Sequence, residues 1–471
     1  MKFYKTTFFA VLMITVIGCS KDDGPKEVPA TNSAPKMAIQ SFTASEDVSD
    51  TEVIGTVTAI DADGDALTFS LVTNDADLFE ITQSGAISLA AGKQLDYEKE
   101  QKHSFTVSVT DGEEEVNAQI NINVDNTIES LFEDPEAFIT TWKTKNNAET
   151  ITIYTRGELQ YNYTINWGDG TTQQITSSDD AEHTYTLAGT YTVALKGQFP
   201  AINMGEAEED IPALASIDQW GTNLWQTMEN AFMNCTTMVH NAIDAPNLPQ
   251  VTSMAYMFYE CSMFNGDIGS WDVSNIESMS RLFSYASLFN RDIGDWDVSQ
   301  VTDMNSMFTH ASSFSGNLSA WDVSQVTDME QMFLGAEVFN SDISSWEVGN
   351  VTNMGWMFRQ ASSFNQDISD WNVGNVTNMY AMFTDATYFD QNIGSWNIGK
   401  VLNMQLMLNN SGLSSENYSA TLIGWADHVS PPQEIELGAD GLIYCGPEAI
   451  GARDSLVNDH GWDITGDAVC N

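Results

Sequence analysis

Positive charge is what this sequence has least of. Lysine and arginine together number 17 against 66 aspartates and glutamates in 471 residues, a formal net charge of −49. Such a chain repels nucleic acid, heparin-like polymers and anionic lipid, which leaves divalent cations and basic or neutral polymers as partners. Histidine is also scarce. His103, His183, His240, His310, His428 and His460 are scattered, with no HExxH, no nucleophile and base pair and no phosphate-cradling loop beside them, so the chain reads as a non-enzyme. Acidic residues are too abundant for any one carboxylate pair to point to glycoside hydrolysis. Long apolar runs are missing except for Phe8 to Ile17, too short to span a bilayer. Apolar residues are nonetheless 42% of the chain, so the acidity decorates folded domains rather than marking disorder.

The one apolar run says where the chain works. Lys2 and Lys5 precede it, and Val16-Ile17-Gly18-Cys19 ends it, the pattern of a lipoprotein signal peptide over 1–18. Cys19 would carry the lipid and become the mature N-terminus. Residues 19–31 then form an acidic, Pro-rich spacer. Ser20-Lys21-Asp22-Asp23 resembles the export tag of surface lipoproteins of Gram-negative bacteria. The expected location is the cell outer membrane, lipid-anchored and facing outward, with an anchor facing the periplasm as the alternative.

From Met257 the chain repeats every 25 residues, with copies beginning at 282, 307, 332, 357 and 382. A fixed period of this size implies a solenoid whose rungs bury their apolar faces only against one another. The consensus is roughly M-F-x-x-A-x-x-F-N-x-D-I-x-x-W-D-V-x-x-V-T-x-M-x-x. Its I-x-x-W-x-V segment (Ile268, Trp271, Val273) predicts a short parallel strand. Its V-T-x-M-x-x-M-F segment (Val301, Met304, Met307, Phe308) has helical spacing and predicts the return leg as a helical or 3₁₀ turn. The ladder Trp271, Trp296, Trp321, Trp346, Trp371 and Trp396 falls in the apolar frame. Exposed, it would leave roughly 1,000 Å² of contiguous apolar surface, so it is assigned to the core. The outward row is then Asp272, Asp297, Asp322, Glu347, Asn372 and Asn397. These oxygens either bind a cation or basic partner or form a merely solvated face. A second row, Asp267, Asp292, Asn317, Asp342, Asp367 and Asn392, is expected to bond loop backbone.

On these motifs the region from 217 to 471 resembles the BspA-like leucine-rich-repeat surface proteins. The resemblance implies an adhesion-type function whose ligand differs from member to member. It also implies an N-terminal cap and degenerate rung over 201–256, six repeats over 257–406 and a C-terminal cap over 407–471.

Two further modules precede the repeats. Residues 32–126 hold alternating strands and the motifs Asn32-Ser-Ala-Pro35, Asp61-Ala-Asp63-Gly-Asp65, Leu95-Asp96-Tyr97-Glu98, Val109-Thr110-Asp111-Gly112 and Asp125-Asn126. They resemble a cadherin-like β-sandwich, which implies Ca2+ held by Glu46, Asp96, Glu98 and Asp125 at one end and by Asp61 and Asp63 at the other. The other reading is acidic turns without a tightly held ion, since a single copy has no neighbour to complete either junction. Residues 127–200, with Trp167-Gly168-Asp169-Gly170-Thr171 and His183 to Val193, resemble a PKD-like sandwich, with Trp167 and Asp169 in structural roles.

In an oxidising compartment Cys445 and Cys470 would pair and clip the C-terminal cap. Cys235 and Cys261 occupy a slot filled by Ala286 and its equivalents in later rungs, and are assigned as buried thiols. The fold class that emerges is mainly β and modular: two β-sandwich domains followed by a leucine-rich-repeat-like α/β solenoid. The implied function is a surface lipoprotein that binds an extracellular protein or glycan and touches the membrane through its lipid alone; the alternatives are a structural cell-surface or matrix spacer without a specific ligand, and a glycan-capture lipoprotein of a polysaccharide uptake system.

Overall fold

The computed structural model describes residues 31–207 and 213–470. The signal peptide, Cys19 and nearly all of the spacer lie outside the described residues. The chain is mainly β, and the two α-helices among the described residues both fall in the C-terminal cap. No helix among them is long and apolar enough to cross a membrane. The chain divides into two compact units, one ending at Thr127 and one beginning at Ile128.

The first unit is a cadherin-like β-sandwich. Its strands are β1 (Gln40–Ser45), β2 (Gly55–Thr56), β3 (Thr68–Thr73), β4 (Phe79–Ile81), β5 (Ala86–Leu89), β6 (Lys102–Thr110) and β7 (Glu115–Asp125). One sheet runs β1-β7-β6-β3 and the other β2-β5-β4, with β1 parallel to β7. Alternation drives the arrangement: Phe105, Val107 and Val109 on β6 and Ile120, Ile122 and Val124 on β7 point inward and meet Phe79, Ile87 and Leu89 of the second sheet.

The second unit contradicts the expected boundary at 200/201. Strands β8 (Phe138–Lys143), β9 (Glu149–Ile153), β10 (Asn162–Asn166), β11 (Thr172–Ile175), β12 (Ala181–Tyr185) and β13 (Thr190–Gln198) lie in the stretch expected to be a separate sandwich. The sheet β11-β10-β13-β8 continues through β14 (Ala213–Gln219) to β15 (Val239–His240), which precede the repeats, while β9 pairs with β12. Trp220 packs on Phe138 with ring centroids 5.6 Å apart and edge-on to Trp271 of the first repeat at 5.3 Å. A single apolar core thus runs from Phe138 to Ile464. The reason is physical: the first rung has an open apolar face, and the aromatic edge of the preceding sheet covers it.

The repeats also depart from the expected strand and helix. Among the described residues of 257–406 there is neither. The I-x-x-W-x-V segment is irregular chain with a single turn, and the parallel bridges sit instead in the V-T-x-M segment, linking Ser278, Asp303, Asp328, Asn353, Asn378 and Asn403 in succession. The return leg keeps single i→i−3 turns but no continuous helix, because two residues per rung take a left-handed backbone, as at Ser306 (φ +57°) and His310 (φ +53°). Every second amide then turns along the stack. Met304, Ser306, Phe308 and His310 donate N–H to the carbonyls of Asp328, Glu330, Met332 and Leu334 in the next rung, at 2.7–3.1 Å. Met307, Thr309 and Ala311 instead close turns on Met304, Ser306 and Phe308 of their own rung. Left-handed φ costs a side-chain-bearing residue roughly 1–2 kcal/mol, which this ladder offsets by leaving no backbone donor of the segment unbonded.

Side chains lock the register. The six Trp residues of the ladder are 1–4% exposed. The indole of Trp321 donates to the carbonyl of Ile293, 28 residues back, at 3.0 Å, and Trp296, Trp346, Trp371 and Trp396 repeat the bond. Phe308 stacks on Phe333 at 5.6 Å and on Phe314 within its own rung at 4.1 Å.

Both ends are closed. Met204 and Gly205 donate to the carbonyls of Ala231 and Asn230 ahead of the first rung. At the far end α1 (Ser415–Ala426) supplies Trp425, whose indole bonds the carbonyl of Ile393 as the next rung's Trp would. Strand β16 (Glu436–Gly438) and the residue pair after it take the last rung's N–H groups, Leu408 bonding the Gly438 carbonyl and Asn410 that of Asp440. After β17 (Ile443–Tyr444) and α2 (Pro447–His460), β18 (Asp463–Thr465) pairs with β16 and β19 (Ala468–Val469) with β17. Cys445 and Cys470 lie across that last pair, bonded, with Cα atoms 5.2 Å apart.

Candidate functional sites

At one end of the sandwich, Asp61, Asp63 and Asp65 bring a carboxylate oxygen each within 4.8 Å of one another. A tight turn with Gly64 at φ +82° folds them together, and Asp61 Oδ1 accepts the N–H groups of Asp63, Gly64 and Asp65. Asp61 Oδ2 is buried with no hydrogen-bond partner. Asp63 accepts from the Ser33 N–H at 2.7 Å and Asp111 from the Asn32 amide at 2.9 Å, so the separated motifs meet here. Backbone N–H groups of Glu114 and Glu113, with the Asn32 amide, hold the Asp111 carboxyl below its usual range. An orphan buried oxygen among hard carboxylate donors fits Ca2+, which would draw on Asp61, Asp63 and Asp65.

The opposite end is arranged differently. Glu46 is buried, and its two oxygens accept the N–H groups of Tyr97 and Thr127. Asp96 accepts from the Lys99 N–H, and Glu98 from the Asn126 amide at 3.3 Å. The backbone of Asp125 accepts from the Glu46 N–H. The structure brings the four to one region with much of their oxygen capacity already used, and no three of their oxygens are among the groups that converge as those of Asp61, Asp63 and Asp65 do.

Along the repeats, Asp272, Asp297, Asp322, Glu347, Asn372 and Asn397 form an exposed row. Asp272 accepts both the N–H and the hydroxyl of Ser274, while Asp297, Asp322, Asn372 and Asn397 accept the N–H two residues on. These bonds hold the carboxyls of Asp272 and Asp322 below their usual range, the Ser274 and Ser324 side chains first and their N–H groups second. An open recess of about 580 Å³ adjoins the row, lined in part by Ser324, Ser344, Glu347, Asn350, Asp370 and Asn372. The second row makes the same kind of turn: Asp292, Asn317, Asp342, Asp367 and Asn392 cap the residue two positions on. Bonds that run between rungs belong instead to Asn265, Asn290, Asn340 and Asn365, which accept from Asn290, Ser315, Asn365 and Asp390.

Cys235 and Cys261 are free and buried, and burial pushes the Cys235 thiol up to about 12, so neither is a nucleophile at neutral pH. His183 stacks on Trp167 at 5.1 Å and meets Asp169 at 2.8 Å, inside the turn that both residues build.

Sequence reasoning passed over the turn side of the repeats. The positions written x in M-x-x-M-F-x-x-A hold Tyr256, Tyr259, Arg281, Tyr285, His310, Trp356, Arg359 and Tyr380, all partly or fully exposed. The available signal was variation, since these positions change from rung to rung while their neighbours do not.

Comparison with known families assigns the two regions separately. A cadherin-domain model matches residues 40–125. A family described as a Mycoplasma protein of unknown function, DUF285, matches residues 203–321 and 314–421. No curated protein matches. Among solved structures, human protocadherin-24 EC1-2 is 20% identical with a TM-score of 0.20, over 31% of this chain and 62% of that one. The third cadherin domain of human protocadherin 7 is 15% identical, TM-score 0.19, over 23% of this chain and 98% of that domain. The human desmocollin-1 ectodomain is 15% identical, TM-score 0.20, over 34% and 37%. This chain therefore spans about three fifths of the protocadherin-24 structures it matches, at 62%.

Proposed function

We propose that this is an extracellular adhesion-type surface protein, lipid-anchored through Cys19 in the outer membrane. Its repeats, a leucine-rich-repeat-like solenoid, present the surface that recognises a protein or glycan. The 127–200 region is PKD-like in this reading, and no catalysis and no nucleic acid are involved. The matches to a cadherin domain and to the DUF285 repeats support the class.

The observation that carries the binding role is the row from Asp272 to Asn397: oxygen-bearing side chains exposed in register, beside a recess open to solvent. Such a row suits a basic or cation-bridged partner. Calcium, in this reading, belongs to the sandwich, with Asp61, Asp63 and Asp65 as its first ligands and the Glu46, Asp96, Glu98 and Asp125 end as its second.

The test is capture of extracellular proteins and printed glycans by the full mature chain, repeated with Asp297→Asn, Asp322→Asn and Glu347→Gln combined. Specific capture that the triple variant weakens is the expected result. A chain that captures nothing would be a spacer, and this reading would fail. Separately, Cys19→Ala should release the protein from the membrane fraction.

A further inference from the structure

The fold forces a left-handed backbone at two positions in every rung, whatever residue stands there. Glycine or asparagine would fit with least strain. Yet Tyr256 (φ +59°), Arg281 (φ +56°), Tyr285 (φ +61°), His310 (φ +53°) and Trp356 (φ +56°) stand at some of them, while Glu260, Ser306, Gln331, Gly335, Gln360, Ala381 and Asp385 stand at the others. Large side chains held where small ones are easier suggest a use for the side chains themselves.

These residues touch one another along the stack. Arg281 lies over the Tyr256 ring at 5.1 Å and donates to its hydroxyl. Tyr259 meets Tyr256 at 5.6 Å and Tyr285 at 5.9 Å, and Tyr285 stacks on His310 at 4.9 Å. One rung on, a Cβ on Gly335 would fall 2.4 Å from the His310 ring, so the missing side chain makes room for it. Beyond that bare rung, Trp356 meets Tyr380 at 4.7 Å. Two aromatic clusters thus flank a gap, with Glu330 and Gln331 in the rung between them.

The cations of the six repeats are Arg281, Arg291, Arg359 and Lys400, and the first and third belong to this side. Among the described residues neither makes an ion pair, since every pair formed by Arg or Lys involves Arg156, Lys196 or Arg453. The Nε of Arg359 has no partner at all. Arg281 is engaged by the Tyr256 ring and hydroxyl and feels the Asp328 carboxyl, which leaves Arg359, with its unbonded Nε, as the unpaired cation of this side in a chain of net charge −49.

We propose that the turn side from Tyr256 to Tyr380 is a saccharide-binding strip, taking oligosaccharides that carry isolated carboxylates. This inference rests on the reading of the repeats as a recognition element and names a surface distinct from the Asp272 row. Aromatic faces suit the apolar faces of sugar rings, and guanidinium suits a carboxylate. A polyanion is excluded by the net charge. An extended peptide is disfavoured because strand addition needs free backbone donors. Here every N–H from Met304 to Ala311 is already bonded.

The test uses the full chain on a printed array of neutral oligosaccharides and of the same structures ending in one uronic or sialic acid, followed by titration of the strongest binder. Trp356→Asn should weaken binding at least tenfold while the melting temperature holds or rises, because asparagine tolerates the left-handed backbone. Arg359→Gln should reduce the preference for the acidic over the neutral saccharide at least fivefold. Saccharide binding that survives both Trp356→Asn and Arg359→Gln would overturn the strip and leave the adhesion reading intact. So would an array that stays silent while proteins are captured. Silence in both assays would remove the adhesion reading, and the strip with it.

Discussion

The sandwich and the repeats reach the same end, a buried apolar core, by different routes. In the sandwich the backbone does the ordering: β6 and β7 pair over nine residues, from Lys102 with Asn123 to Thr110 with Glu115, and side chains follow the alternation. In the repeats the chain is a run of turns in which every second N–H of the M-x-x-M-F segment bonds the next rung, and identical side chains stacked at the same height set the register. The lesson is that regularity in sequence need not become regular secondary structure. A 25-residue period can be satisfied by stacking identical turns.

The largest effect that would break this comparison is loss of a stacked indole. Trp346→Ala removes a side chain 3% exposed and its bond to the Leu318 carbonyl. It should cost about 3–5 kcal/mol, and the damage should spread to neighbouring rungs. Ile87→Ala in the sandwich should cost about 2–5 kcal/mol and stay within its own unit. Denaturant titration with a local probe in each unit checks both. A Trp346→Ala chain that melts as wild type would show that side chains do not hold the stack.

Next in size is the terminal clip. Cys470→Ser opens a link between residues 25 apart in sequence, worth about 3–4 kcal/mol in the chain-entropy model. It should loosen the last rungs and leave the sandwich transition where it was. Equal melting of reduced and oxidised protein would contradict the role of the cap in closing the stack.

Calcium should act on the sandwich alone. At ten times its dissociation constant the ion adds about 1.4 kcal/mol to the folded form. Asp61→Asn should remove that gain, since it takes away the oxygen that has no other partner. A calcium shift that persists in Asp61→Asn, or one seen in the repeat transition, would argue against this site.

The smallest effect concerns Asp328, stacked between Asp303 and Asn353 on the bridge line. Burial, with the Asp303 charge beside it, raises its carboxyl above the usual range. A raised carboxylate favours the folded state when protonated, so this contribution is lost as pH rises through the folded value. Asp328→Asn, which copies Asn353 and Asn378, should therefore stabilise the repeats slightly at neutral pH and not at pH 3. Asp272, Asp322, Asp342 and Asp367 have depressed values, so their contribution has the opposite sign and is lost as pH falls below the ordinary carboxylate range. Melting curves at the two pH values separate the signs.

Much of the sandwich was legible because alternation at Phe105, Val107 and Val109 is a local signal that the backbone obeys. The period of the repeats, the burial of their Trp ladder and the exposure of the Asp272 row were legible for the same reason, as patterns of side-chain type. The strand and helix were misread because M-x-x-M-F has helical spacing, while the left-handed backbone at Ser306 and His310 has no residue-type signature. Glycine would have announced it, but serine and histidine do not. The boundary at 200/201 was misplaced because β14 joins β8 across more than sixty residues, a pairing that no local pattern records. Asp61 and Asp63 were legible as a calcium end through the motif they share with cadherin-like domains, while Asp65 as their companion and the unbonded Asp61 oxygen needed the turn geometry.

The central claim is that the N–H groups pointing along the stack give the repeats the order that strands give the sandwich. Native-state hydrogen exchange, resolved by residue, tests it directly. The amides of Ser306, Phe308 and His310 should be protected as strongly as those of β6 and β7, and in step with their equivalents in neighbouring rungs. Exchange at the rate of an exposed turn such as Gly168–Gly170 would contradict the account.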